Sequence, residues 1–316
     1  MLARCIGIAA ELGIADHLPS DAASLAARSG VQSAALYRML RYLAANGIFA
    51  EDESGRFSNN PVSELLRPNV PGSMYAWLRT AWQDRSWDTY RKLPQTIRTG
   101  TPAFELAHDE AFFDYLALRP DVSALFDAAM ARQSSPENEA VVRAYPFERA
   151  KTVVDVGGGR GGFMAALLAN YPALHGVVFD QTHVLAQPNE VRDHPRGRLV
   201  AGNFFESVVA GGDVYVLKRI LHDWSDEDAA RILQSVAKAA GRSGRVIAID
   251  AVLKPGGAPD PNKTLDMSML ALLKGRERTA AEFEALFAAS GLKLVAIHTT
   301  AAPSTLSLVE GLVASP

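Results

Sequence analysis

The chain carries one cysteine, Cys5, in 316 residues. No disulfide can close within it and no thiolate zinc site is expected, so a reducing, cytoplasmic setting fits. It also lacks an excess of either charge, with 32 Lys+Arg against 35 Asp+Glu. That balance provides no field to gather nucleic acid or an anionic membrane surface. No uninterrupted apolar run approaches the roughly 18–20 residues that cross a bilayer. The N-terminus lacks a basic start, and Glu11 interrupts its apolar stretch, so no signal peptide is expected. Internal repeats and low-complexity tracts are missing as well. What the chain does have is ordinary globular composition, with 48% hydrophobic and 21% charged residues. Its length suggests about two domains.

The texture changes near residue 150. Before it, apolar residues recur at three- and four-residue spacing, as in Leu36, Met39, Leu40 and Leu43, which is a helical pattern. Helices are expected over 24–29 and 34–45, followed by a small β-wing through Ile48-Phe49-Ala50 and Arg56-Phe57-Ser58. A winged helix can bind DNA, but the wing tip here is Glu51-Asp52-Glu53, which phosphates would repel. A dimerisation and packing module is the better reading. Trp77, Trp82 and Trp87 recur every five residues, a spacing that suits no single helix face.

After residue 150, short β-branched runs alternate with helical stretches. Strands are expected over 152–156, 176–179, 199–201, 214–217 and 245–249. Their near-continuous apolar character suits a parallel sheet covered on both faces. Helices are expected over 162–170, 226–238 and 280–290. Ser225 with Asp228, and Thr279 with Glu282, have capping-box spacing, and Gly291 can end the last helix. Residues 293–298 and 305–309 read as an antiparallel hairpin closing the sheet. The domains are therefore 1–148 and 149–316.

Val153-Val154-Asp155-Val156-Gly157-Gly158-Gly159-Arg160-Gly161-Gly162 follows a strand and opens a helix. Glycines there let the backbone turn tightly and approach a ligand without a Cβ in the way. Gly157, Gly159 and Gly162 satisfy G-x-G-x-x-G, which admits a dinucleotide. Asp155, just before the loop, instead suits a cationic ligand group. Asp180 ends the second strand, where a carboxylate can accept both hydrogen bonds of a ribose diol.

These residues resemble a family. The glycine run is similar to motif I of class I S-adenosylmethionine (SAM) methyltransferases. Gly202-Asn203-Phe204-Phe205-Glu206 resembles a segment of small-molecule O-methyltransferases. Leu217-Lys218-Arg219-Ile220-Leu221-His222-Asp223-Trp224-Ser225-Asp226-Glu227 resembles their catalytic segment, and Arg276-Glu277-Arg278-Thr279 a fourth marker. The relatives are plant phenylpropanoid and bacterial polyketide and phenazine enzymes, and the likeness covers nearly the whole chain. It implies an α/β fold, a Rossmann-like class I methyltransferase sheet with an N-terminal all-helical winged-helix dimerisation domain. It further implies a homodimer and SAM as cofactor. A homologue that keeps SAM for a non-methylating reaction, hydroxylation or a pericyclic step, is the alternative.

His222 follows the strand over 214–217, so it lies at the carboxyl edge of the sheet, where open α/β sheets bind ligands. A neutral phenol is a poor nucleophile, and an imidazole titrating near 6.5 if unperturbed can take its proton. No metal is required. An acidic neighbour would fix the tautomer and stabilise the imidazolium. The resemblance offers two: Asp250, expected to end its strand, and Glu277, the favoured partner. It also implies that Lys218 lies near the adenine ribose, that Phe204 stacks on adenine, and that Asn203 replaces an aspartate at the adenine amino group. Phe126, Met130 and Gln133 share one helical face. The resemblance makes Phe126, Met130 and Met269 substrate-wall residues, although a core stripe explains the same spacing. Leu272-Leu273 after Met269 favours an apolar aromatic substrate.

Overall fold

A computed structural model describes residues 1–314 except Trp82, and excludes the side chains of residues 131–133, 135 and 136. Trp82 and the Gln133 side chain, both singled out above, lie outside the described residues. The chain divides into two compact units, residues 1–92 with 107–132, and residues 93–106 with 133–316.

The first unit is helical apart from a small sheet. Helices Leu2–Glu11, Ala22–Ser29 and Ser33–Ala45 bury Leu25, Leu40, Leu43 and Phe57 in one cluster. Asp21 caps the second helix by accepting from the Ser24 amide. The wing contains β1 (Ser20–Asp21), β2 (Ala50–Glu51) and β3 (Arg56–Ser58), with β3 in the middle and both pairings antiparallel. The sequence signals β2 and β3. It does not signal β1, because two residues offer no alternation to read.

The second unit holds the large sheet. Its strands are β4 (Thr152–Val156), β5 (His175–Asp180), β6 (Gly197–Ala201), β7 (Val214–Lys218), β8 (Arg245–Leu253), β9 (Arg278–Thr279), β10 (Leu292–Thr299) and β11 (Leu306–Val313). The order is β10-β11-β8-β7-β4-β5-β6, with β9 beside β8. Strands β6, β5, β4, β7 and β8 run parallel; β11 and β10 form the expected antiparallel hairpin against β8.

The continuous apolar runs follow from burial on both faces. Successive residues of a strand point to opposite sides. Val154 and Val156 of β4 join Tyr215, Leu217, Ile232, Leu233 and Phe287 on one face, whereas Val153 joins Phe163, Met164, Leu167 and Ile247 on the other. Helix Asp226–Ala240 covers the first face and helix Gly162–Asn170 the second. Ser225 caps the former through the Asp228 amide, and Thr279 with Glu282 forms a complete capping box on helix Ala280–Ala289. Gly291, at φ +75°, follows its end.

One expected strand is longer than its apolar run. β8 continues four residues past Ile249, so Asp250 lies inside the strand and does not end it. β11 pairs along it as far as Ala251, and β9 pairs with Val252 and Leu253. Ala251-Val252-Leu253 resume the apolar run, and partners on both sides carry the strand through the interruption at Asp250. Strand order reverses between β4 and β7, and the loops leaving their carboxyl ends carry the candidate site.

Candidate active site

The glycine loop leaves β4 with Gly157, Gly159 and Gly161 all at positive φ, from 56° to 79°. A Cβ on Gly157 would come within 2.5 Å of Ile220 Cδ1, and one on Gly158 within 2.7 Å of Asp155 Oδ2. Around Gly159 no atom would be met within 4 Å, so that glycine serves the backbone angle and leaves its surroundings open. The amide of Gly159 donates to Asp180 Oδ2 at 2.8 Å, and that of Gln181 to Asp180 Oδ1 at 2.7 Å. Each carboxylate oxygen keeps capacity for a further donor. Burial raises the Asp180 pKa above the ordinary carboxylate value, against these two amides.

Asp155 is buried beneath the loop, and its Oδ2 has no hydrogen-bond partner. Burial pushes its carboxyl up to about 7, opposed by the Lys218 ammonium and reinforced by Asp180. Lys218, at the end of β7, donates to Ser134 Oγ and lies 3.9 Å from Glu137 Oε2. Burial brings it down to about 8, with Glu137 opposing. Phe204 sits beside Gly157, with its ring edge-on to Phe205 and Trp224. Asn203 is exposed and bonds locally, accepting from the Phe205 amide and donating to Glu206.

His222 lies on a single 3₁₀ turn, Leu221–Asp223, after β7. Its Nδ1 is 2.6 Å from Glu277 Oε1, and its Nε2 is 3.4 Å from Asp223 Oδ1. Asp250 makes no hydrogen bond to it: both Asp250 oxygens are buried without a partner and act through space. Burial works against the imidazolium, but Asp223, Glu277 and Asp250 outweigh it and hold His222 up at about 9. The expectation of 6.5 held for an unperturbed imidazole, and this one is perturbed. A lone imidazole would sit there; one among three carboxylates does not. Asp223 and Asp250 are themselves pushed up to about 6, chiefly by burial.

Comparison with known proteins decides the family. The O-methyltransferase domain model matches residues 90–293, and the O-methyltransferase dimerisation domain model matches residues 1–69. The chain is 39% identical over 312 residues to the phenazine O-methyltransferase of Lysobacter antibioticus, covering 96% of this chain and 90% of that one. It is 35% identical over 302 residues to a mitomycin 6-O-methyltransferase of Streptomyces lavendulae, covering 92% and 86%. A solved O-methyltransferase of neocarzinostatin biosynthesis, in complex with SAM and 2-hydroxy-5-methyl naphthoic acid, superposes with TM-score 0.87 at 33% identity, covering 98% of this chain and 95% of that one. The chain belongs to the SAM-dependent O-methyltransferase family.

The residues of this O-methyltransferase fit that cofactor. The open backbone at Gly159, the Asp180 carboxylate hydrogen-bonded to it and the unpartnered Asp155 oxygen offer a close approach, a diol acceptor and an anion for a cationic group. The residues expected to meet a substrate fall in different units. Phe126 packs edge-on against Phe112 at 5.3 Å, and Met130 is half-buried, both in the first unit. Met269 is buried on helix Pro261–Leu272 in the second.

The sequence does not single out Asp223, Arg278 or Glu137. Asp223 and Arg278 stand inside recognisable runs, but nothing local to them shows which groups they meet. Glu137 carries no motif; it pairs with Arg219, whose backbone adopts φ +55°. Only the fold brings those two together.

Proposed function

We propose that this O-methyltransferase methylates an aromatic hydroxyl of a small secondary metabolite, with His222 as general base. The observation that carries the reading is the 2.6 Å contact between His222 Nδ1 and Glu277 Oε1 at the carboxyl edge of the sheet. Glu277 fixes the proton on Nδ1, which leaves Nε2 to receive the proton of the phenol. The resulting imidazolium is stabilised by Glu277 and by Asp223 beside Nε2, with Asp250 in a lesser role. SAM supplies an electrophilic methyl group carried on a sulfonium. Gly157, Gly159 and Asp180 would hold its adenosine, with Phe204, Asn203 and Lys218 around the adenine and ribose and Asp155 toward its cationic end. Asn203 lacks the charge of an aspartate and weakens that contact. In this reading Phe126 and Met130 are substrate-contacting residues of the first unit and Met269 one of the second, where Leu272-Leu273 suits an apolar ring. The working unit is a cytoplasmic homodimer, a reading supported by the dimerisation-domain match and the lone cysteine.

The test is incubation of the purified protein and SAM with a panel of phenolic metabolites, followed by mass spectrometry. A gain of one methylene unit with equimolar S-adenosylhomocysteine is the expected result. The alternative, a SAM-binding homologue with a non-methylating reaction, is not favoured, because it leaves the paired His222 and Glu277 without a task. Consumption of a phenol with no methylated product would restore it.

A further inference from the structure

Arg278 is among the largest fully buried side chains of the protein, with 1% of its surface exposed. Its backbone is anchored in the sheet, because β9 pairs with β8 at Val252. Its guanidinium reaches the turn that carries His222 from both sides. Nη1 donates to the Leu221 carbonyl at 2.8 Å, one residue before the histidine, and Nη2 to the Trp224 carbonyl at 3.0 Å, two residues after it. Nε closes the set on Asp226 Oδ1 at 2.9 Å. The adjacent residue is Glu277, whose amide is held in turn by Asp266 Oδ1 at 2.9 Å. Gly275 completes the contact: a Cβ there would collide with the His222 carbonyl oxygen and the Asp223 backbone.

We propose that Arg278 is a positioning residue that clamps the His222 turn onto the Glu277 segment and so sets the distance between base and carboxylate. A short 3₁₀ turn has little hydrogen bonding of its own to fix where its side chain sits. Two carbonyls flanking the histidine, tied to one rigid planar fork, remove that freedom. Lysine cannot substitute, since one ammonium on a flexible stem does not span two carbonyls and a carboxylate as the fork does. The consequence for catalysis rests on His222 being the base; the clamp itself does not.

The test therefore reads His222 directly, by NMR titration of its imidazole carbon and detection of the low-field Nδ1 proton. Charged groups around this imidazole are Asp223 on its own turn, Asp250 from β8 and Glu277, with Arg219 and Arg278 acting on those carboxylates. Arg278→Lys keeps the charge, so any change reports position. The low-field proton should disappear and the titration fall by about one pH unit as the carboxylate moves away. S-adenosylhomocysteine affinity should stay within a few-fold. In a Glu277→Gln background the same substitution should add almost nothing. An unchanged titration, or a shift that adds in full to Glu277→Gln, would overturn the proposal. Should Arg278→Lys fail to fold, Gly275→Ala pushes the two segments apart without altering any charge, and must produce the same shift. With a phenol found in the panel, Arg278→Lys turnover should fall about 10- to 100-fold, the scale of a small misplacement. If His222→Ala keeps full turnover while the NMR result holds, the base reading fails and the clamp stands.

Discussion

Glu277 lies 55 residues beyond His222 in the chain, yet its Oε1 sits 2.6 Å from the imidazole Nδ1 while its Oε2 is buried with no partner. A pair so close and so enclosed makes His222→Ala the first expectation. Loss of a positioned base typically costs about 10²- to 10⁴-fold in rate. SAM affinity, measured by calorimetry, should stay within a few-fold. Glu277→Gln should lose less, since the histidine remains. A phenol already ionised at the assay pH should shrink the His222→Ala defect, and a defect of the same size on such a substrate would point to positioning in place of proton transfer.

The pH profile follows from the charge around the imidazole. With His222 held up at about 9, the unliganded enzyme carries mostly imidazolium at neutral pH. A base must be deprotonated, so kcat/KM for SAM should climb as pH rises toward 9. Under saturating SAM, kcat/KM for the phenol should show a lower pKa, because a second cation in the site disfavours the imidazolium. An acid limb near the unperturbed histidine value in both profiles would count against this electrostatic account.

In the proposed cofactor site, Asp155 would tie SAM binding to stability. Its pKa rises from 3.8 in the unfolded chain to about 7 in the fold, so its stabilising contribution is present at low pH and lost as pH climbs through 7. Asp155→Asn should therefore raise the melting temperature of the unliganded protein by an amount that grows between pH 4 and pH 7 and then levels off. The same variant should bind SAM more weakly. A pH-independent change in melting temperature would show that the carboxylate is not the source.

Asp180→Ala should weaken SAM and S-adenosylhomocysteine alike by more than about tenfold, since each hydrogen bond to a charged acceptor is worth about 1.5–3 kcal/mol. Both ligands carry the ribose, so a loss confined to SAM would place Asp180 elsewhere.

Light scattering at micromolar concentration should report a dimer. The motif is the dimerisation-domain match over residues 1–69 together with exposed apolar side chains such as Tyr42 and Val62 in that stretch. A monomer would remove the homodimer from the proposed function.

The amino-acid sequence by itself determined the parallel strands of the large sheet, the helices Gly162–Asn170, Asp226–Ala240 and Ala280–Ala289 beside them, and the ligand-facing edge. Strand periodicity, the glycine loop and the capping residues are local signals, and local backbone physics is sufficient to read them. It also nominated His222, Glu277 and Asp180, because each stands in a recognisable run at the carboxyl end of a strand or the start of a helix. What only the tertiary structure decided is how these groups act on one another. The His222 pKa depends on Asp223, Asp250 and Glu277 converging on it from three segments. Asp250 lies within β8 because β9 and β11 flank it, and neither pairing is written in its own residues. Arg278 stands in a recognisable run that does not say what it holds, and Glu137 is an ordinary charge in the chain. Burial against the His222 turn, and against Arg219, gives them their roles, because an ionic side chain removed from water must be met by partners that folding alone brings near.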